Sequence, residues 1–337
     1  MPFLDTGESN VFYEQIGEGP DLVWVGGGGT MGRDWQRFQT PHFAPRFRNT
    51  TFDNRGIGQT VCALPMPWGM ADFARDLAVL VERVCRPPVA LVGTSLGSAI
   101  VQQLAIDQPD LVRVAVLMGT GAWSTGWGWD YQEAEIEFRK AGGRLGGMMG
   151  VAHYAAMLYP AQALGDRALR PKLKALMLEW MDSGENETSL VPQWDASLRY
   201  DQRAALPGVR VPVHVLAFAE DVQAPPQDGE EVAGLVPGAK LHLMEGMGHG
   251  SWYGHAHDRL NPYIEEIVRA YVCGRASKGE HWQAYNAHVI ESILTHVAPA
   301  LGWQRTSDAA SPSGSQGNCV WPNGVALYLH RHGPRRR

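Results

Sequence analysis

The chain has 337 residues, 45% of them hydrophobic and 19% charged, with a formal net charge of −6 at pH 7. That length and apolar content suffice for one large α/β domain with an insertion, and they argue against disorder except near the C-terminal end. The acidic balance gives no basis for nucleic-acid binding, and four cysteines without C-x-x-C spacing suggest neither a zinc site nor a disulfide framework.

Cys62, Cys85, Cys273 and Cys319 are instead expected to be buried free thiols. Met1-Pro2-Phe3-Leu4-Asp5 shows no basic segment leading into an apolar one, and no apolar run is long enough to cross a bilayer. A cytoplasmic protein without a membrane partner is the expectation.

Up to about Trp123, short β-rich runs alternate with helical patterns. Val11 to Ile16, Leu22 to Val25, Asn49 to Phe52, Val89 to Val92 and Val114 to Met118 read as strands. Met70, Phe73, Leu77, Leu80, Val81 and Val84 recur at helical spacing, as do Ile100 and Leu104 ahead of the break at Pro109. Such alternation implies a mainly parallel sheet covered by helices on both faces.

From Ser124 to Ala205 the β-branched runs thin out and Trp127, Trp129, Trp180 and Trp194 appear. Tyr131 to Lys140 and Pro171 to Met181 favour helix on either side of a glycine-rich break at Gly142 to Gly150, which predicts a helical insertion. The alternation resumes with Val211 to Ala219, Glu230 to Leu235, Lys240 to Met244 and a helix over Pro262 to Tyr271.

The expected organisation is a core formed by residues 1–123 and 206–273, a helical cap over 124–205, and a C-terminal extension over 274–337. In the extension, Trp282 to Val297 reads as a helix, Ser307 to Gly317 as a linker, and Arg335 to Arg337 as a flexible basic end. It holds seven Lys/Arg and three Asp/Glu, a balance of +4 that leaves −10 on the remainder. Docking onto an acidic surface of the same chain or of a second copy is therefore open, and with it a homo-oligomer.

Gly93-Thr94-Ser95-Leu96-Gly97 follows one predicted strand and precedes one predicted helix. A sharp turn there forces the serine hydroxyl out above the sheet, while the flanking glycines let strand and helix approach. A glycine-flanked serine alone is equally an exposed turn. What distinguishes the two is whether an imidazole and a carboxylate answer it, because a serine hydroxyl is a weak nucleophile without a base and an orienting acid.

Asp221 follows the strand Val211 to Ala219 and precedes the turn Val222-Gln223-Ala224-Pro225; Glu220 is its close competitor, and a plain surface turn the other reading. His249 stands in Gly246-Met247-Gly248-His249-Gly250, just after the strand ending at Met244, whereas His242 falls inside that strand and His255 and His257 come later. Gly26-Gly27-Gly28-Gly29 follows Leu22 to Val25, where backbone N–H groups could meet a developing oxyanion together with the N–H of Leu96. The run lacks a following Gly-Lys-Ser/Thr, so nucleotide binding is a weak alternative.

Taken together, these segments resemble the α/β-hydrolase superfamily over roughly residues 9 to 272, with Phe52-Asp53-Asn54-Arg55-Gly56-Ile57-Gly58-Gln59-Thr60 similar to its turn after the fourth strand. The family often has His-Gly where this chain has Gly26-Gly27, which leaves the oxyanion donor open between Gly27 and Gly28. Asp53 and Arg55 read as structural turn residues.

The resemblance implies an α/β fold with a helical cap and a Ser95, Asp221, His249 triad that needs no cofactor or metal. It further implies hydrolysis of an ester, thioester or lactone of a fairly apolar small molecule through an acyl-enzyme on Ser95, with secondary metabolism as one setting. Transfer of the acyl group to a second substrate, cyclisation, or a non-catalytic ligand-binding member are the alternatives. Trp123, Trp127, Trp129, Met148, His153 and Tyr154 are the cap residues expected to bind substrate. Asp130, Glu133, Glu135 and Glu137 read as a solvated face, or else as an acidic mouth for cationic substrates.

Overall fold

A computed structural model describes residues 2–182, 190–272, 319–320 and 326–327. In the first part of the chain β1 (Phe3–Asp5), β2 (Ser9–Ile16) and β3 (Asp21–Val25) lead to α1 (Gly32–Phe38) and α2 (Thr40–Phe43). There follow β4 (Arg48–Phe52), β5 (Val61–Cys62), α3 (Met70–Val84), β6 (Val89–Thr94), α4 (Leu96–Asp107) and β7 (Val112–Met118). The cap holds α5 (Gly126–Lys140), α6 (Gly147–Leu158), α7 (Ala161–Gly165), α8 (Arg170–Asp182) and α9 (Leu190–Leu198). The core is completed by β8 (Val213–Phe218), α10 (Pro226–Leu235), β9 (Lys240–Met244) and α11 (His257–Val272).

The main sheet runs β1-β2-β4-β3-β6-β7-β8-β9, with β5 beside β2. β1, β2, β4 and β5 pair antiparallel, and every junction from β4 to β9 is parallel. This is an α/β-hydrolase fold. The inner parallel strands β3, β6, β7 and β8 are largely buried on both faces, which explains why β6 is buried from end to end and Val89 to Val92 reads as an apolar run. Period two then sorts its side chains: Leu91 joins Leu77, Ile100 and Leu104 of α3 and α4, while Val92 joins Trp35, Phe43 and Leu260 on the opposite face. A third apolar cluster, with Val151, Tyr154, Leu173 and Met177, belongs to the cap.

Several elements differ from the sequence reading. α6 begins at Gly147, inside the expected glycine break, because Gly150 lets α6 approach α8: a Cβ there would sit 2.6 Å from Met181 Cε. α11 begins at His257 and accommodates Pro262 internally. The short strands β1 and β5 carry too few residues to show a period.

On the face of the sheet opposite α10, β8 and β9 bring His214 and His242 together with rings stacked at 8° and Nδ1 of the first 2.9 Å from Nε2 of the second. The Tyr271 hydroxyl meets His214 at 2.9 Å and the Tyr263 hydroxyl meets His242 at 2.6 Å, both from α11. Burial pushes the His214 imidazolium down to a pKa of about 3 and lowers that of His242.

The chain divides into one compact unit over Met1–Gly274 and a second over Arg275–Arg337. In the second, Cys319–Val320 and Ala326–Leu327 form a two-stranded antiparallel sheet, β10 and β11. The expected helix at 282–297, the linker at 307–317 and the basic end at 335–337 lie outside the described residues. Cys62 and Cys85 are free but only half-buried. No helix among the described residues is long and apolar enough to cross a membrane.

Candidate active site

Ser95 has φ 53° and is the only non-glycine residue with a positive φ among those described. Holding an L-residue there costs on the order of 1–3 kcal/mol, which the packing of β6 against α4 must sustain. Gly93 and Gly97 make that packing possible. A Cβ on Gly93 would lie 2.6 Å from the Gly97 carbonyl oxygen, and one on Gly97 would collide with the carbonyl of Val25. The Ser98 hydroxyl donates to the Ser95 carbonyl at 2.6 Å and lies 2.7 Å from the Thr120 hydroxyl, fixing the turn from below.

Asp221 and His249 meet above the ends of β7 and β8. His249 Nδ1 is 2.7 Å from Asp221 Oδ2, and both residues are buried. The other carboxylate oxygen accepts the N–H groups of Gln223 and Ala224, each at 2.9 Å, so the Asp221 side chain is oriented at both ends. Glu220 is exposed and takes a bond from Gln162. His242 is engaged with His214, His255 with the Ser251 hydroxyl at 2.9 Å, and His257 packs at a tilt against Phe38.

Gly119, at the end of β7, has φ +51°, and a Cβ on it would lie 3.1 Å from both Asp221 Oδ2 and His249 Nδ1. The missing side chain is the space the pair occupies.

The glycine turn after β3 is braced from two directions. The Asn54 amide donates to the Gly26 carbonyl at 2.9 Å, and Asp53 accepts the Gly32 N–H at 2.8 Å, so the turn after β4 supports it from the core. From the cap, Gln193 accepts the Gly29 N–H at 3.0 Å and donates to the Arg55 carbonyl at 3.1 Å. Arg55 itself is fully buried and bonded to Asp76 at 2.9 Å. The Gly29 amide is taken by Gln193 and that of Thr30 by the Gly27 carbonyl, while Gly27 and Gly28 line the same cavity as Ser95. Gly27 lies so close that a Cβ on it would be 3.0 Å from Ser95 Cβ.

Ser95, Leu96 and His249 line two adjoining cavities beneath the cap. The larger, about 120 Å³, is bordered by Gly27, Gly28, Asp34 and a set of rings; the smaller, about 50 Å³, by Trp123, Gly119 and Asp228. Burial raises the carboxyl pKa of both Asp34 and Asp228 to about 6. The cap is fastened to the histidine loop where the Gly250 N–H donates to the Leu158 carbonyl at 2.7 Å, at the last residue of α6.

Of the expected cap residues, Tyr154 lines the larger cavity and Trp123 the smaller. His153 lies behind, stacked on Tyr131 with its Nε2 2.8 Å from Glu135. Trp129 borders an open groove with Trp123, while Trp127 and Met148 are exposed and line neither cavity. Glu135, read as part of a solvated face, is buried and paired with Arg139 at 3.2 Å and the Tyr154 hydroxyl at 3.2 Å.

Sequence reasoning overlooked Asp34, Tyr159, Trp252, Tyr253, the lining role of Trp180 and Trp194, and the Gln193 strut. Helical spacing held part of that signal: Met177 and Trp180 are three apart on α8, as are Trp194 and Ser197 on α9, and all four face the larger cavity. No group of three or more metal-ligating side chains occurs among the described residues.

Comparison with known proteins agrees with this architecture. A family model described as alpha/beta hydrolase fold matches residues 20–256. The chain is 31% identical over 241 residues to a putative non-heme bromoperoxidase, BpoC, of Mycobacterium tuberculosis, covering 71% of this chain and 90% of that one. It is 27% identical over 259 residues to a pimeloyl-[acyl-carrier protein] methyl ester esterase of Chromobacterium violaceum, covering 77% and 98%. A putative carbamate hydrolase, RutD, of Variovorax paradoxus is 28% identical over 216 residues, 62% of this chain and 75% of that one. The crystal structure of BpoC superposes with a TM-score of 0.72 at 28% identity, covering 78% of this chain and 96% of that one. With hydrolases among its relatives and a family match across most of its length, the chain belongs to the α/β-hydrolase superfamily.

Proposed function

We propose that this protein is a serine hydrolase that cleaves an ester, thioester or lactone of a fairly apolar small molecule. Ser95 Oγ attacks the acyl carbonyl and His249 takes its proton at Nε2, the nitrogen turned away from Asp221. Asp221 fixes the tautomer and steadies the imidazolium. The N–H of Leu96 and that of Gly27 or Gly28 receive the developing oxyanion, and its collapse expels the alcohol or thiol, which takes the proton from His249. Water, giving a proton to His249, then attacks the acyl-enzyme, the acid leaves and Ser95 regains its proton.

The observation that carries this reading is that His249, held 2.7 Å from Asp221, lines the same cavity as Ser95. The names of the relatives fit it, since a methyl ester and a carbamate both present a carbonyl with a departing heteroatom.

A fluorophosphonate probe with intact-mass readout tests the reading. One adduct is expected on the wild type and none on Ser95→Ala, together with loss of ester hydrolysis by roughly 10⁴-fold or more. An unlabelled wild-type protein would overturn it. Full activity in Asp221→Asn would transfer the acid's role to another carboxylate.

A further inference from the structure

Asp34 lies at the third position of α1, on the wall of the larger cavity, and the proposed reaction makes no use of it. One oxygen, Oδ2, accepts the Met31 N–H at 2.8 Å and so caps the helix. The other has no hydrogen bond among the described residues, and Asp34 is one of the residues that line the cavity. Capping needs only the first oxygen.

The cavity that Asp34 lines is rich in rings, and no cationic side chain lines it. Trp180, Trp194, Trp252 and Tyr253 contribute rings to the same wall, no Lys or Arg lines it, and Asp34 is its only carboxylate. Arg33 and Arg37 lie close enough to act on Asp34 electrostatically, but neither borders the cavity. Arg37 is paired with Glu179 at 2.8 Å, and Arg139 with Glu135 at 3.2 Å. Arg139 also lies 5.2 Å over the Trp194 ring, so a lining aromatic of this cap already holds one cation.

A desolvated carboxylate beside aromatic faces is the chemistry that recognises an ammonium group: the carboxylate supplies charge, and the ring quadrupoles supply the remainder of the shell. We propose that the larger cavity selects substrates bearing a positively charged nitrogen, with Asp34 as its anchor and the rings of Trp180, Trp194, Trp252 and Tyr253 around it. The inference rests on the hydrolase reading for the reaction but not for the binding. Desolvation raises the Asp34 pKa only to about 6, so the carboxyl is ionised at neutral pH and a cation would restore what burial costs it.

Two isosteric ester pairs test the selectivity. Butyrylcholine is compared with the ester in which tert-butyl replaces trimethylammonium, which places the charge on the alcohol side. The p-nitrophenyl ester of trimethylammoniobutyrate is compared with its tert-butyl isostere, which places it on the acyl side. In at least one pair kcat/KM is expected to favour the cation by about tenfold or more, and Asp34→Asn and Asp34→Ser, both of which keep a capping oxygen, are expected to bring the ratio to about one.

Ratios near one in both pairs for the wild type, or a ratio unchanged in both folded variants, would overturn the inference. If no ester is turned over and Ser95 is not labelled, the hydrolase reading fails by itself. Tryptophan-fluorescence titration of wild type and Ser95→Ala with choline against its tert-butyl isostere then decides: tighter choline binding that is lost in Asp34→Asn sustains the ammonium site, and equal binding sinks it.

Discussion

Where β6 crosses the core, every residue from Val89 to Thr94 is buried, whereas α5 of the cap buries only Gly128, Tyr131, Glu135 and Ile136 of its length and leaves Trp127 in solvent. The two regions also treat polarity differently. The core keeps its ionised groups in bonded sets, such as Arg55 with Asp76, and places its reactive-looking side chains on turns at strand ends. The cap encloses its own buried ion pair, Glu135 with Arg139, behind the rings that face the cavity. The core thus fixes geometry to fractions of an ångström through backbone contacts, and the cap shapes a volume through side chains. Substitutions in the core should therefore act on rate and stability, and those in the cap on substrate choice.

The largest effect on stability is expected far from the cavities. His214 is buried neutral, with a pKa depressed to about 3 from the usual 6.5. The unfolded chain takes up that proton first, so the stabilisation from His214 is full above about pH 6.5 and is lost progressively as pH falls toward about 3. Urea unfolding at pH 7 and pH 4 should show a loss of up to a few kcal/mol that His214→Gln diminishes. Asp34 and Asp228 work in the opposite sense: their raised pKa values cost stability as pH climbs from about 4 through about 6, a smaller effect that their Asn variants would isolate.

Gly119→Ala is the sharpest test of the core. Its Cβ would press on Asp221 and His249 together in a backbone region that L-residues avoid, so kcat should fall by about 10²-fold with roughly 1 kcal/mol of lost stability. Unchanged kcat with an unchanged melting temperature would mean that the pair has slack.

The cap should divide. Gln193→Ala removes the strut between the Gly29 N–H and the Arg55 carbonyl, and a loss of kcat/KM by about fivefold is expected in ester hydrolysis. Trp127→Ala, on an exposed ring, should change neither kcat/KM nor thermal midpoint beyond error. If Trp127→Ala proved the costlier of the two, the division drawn here between bracing and surface positions of the cap would fail.

These differences also explain what could be read from the sequence. The strand pattern is legible because strands buried on both faces are largely apolar, as Val89 to Val92 of β6 and Val215 to Phe218 of β8 are. Ser95, Asp221 and His249 were locatable because each follows a strand end, and strand ends are visible. The structure joins Asp221 and His249 directly and places Ser95 on the same cavity wall. Gly119 is not legible in the sequence, since a residue whose role is to leave space carries no chemical signal. In the cap, apolar and aromatic character points to Trp127 and Met148, but helix rotation decides which side chains turn inward, and it selects Trp180 and Trp194. Asp34 was missed because its capping role and its place on the cavity wall are separated only by three-dimensional packing.

The bond from the Gly250 N–H to the Leu158 carbonyl joins the last residue of a cap helix to the residue beside His249. Gly248 and Gly250 also lie close against Leu158: a Cβ on Gly248 would sit 3.0 Å from its carbonyl oxygen, and one on Gly250 2.8 Å from its Cβ. The cap and the histidine loop therefore behave as parts of one lever. A swing that lifts the end of α6 must drag the imidazole with it or break that bond, so widening the mouth and keeping the ring in register are competing demands on the same few atoms.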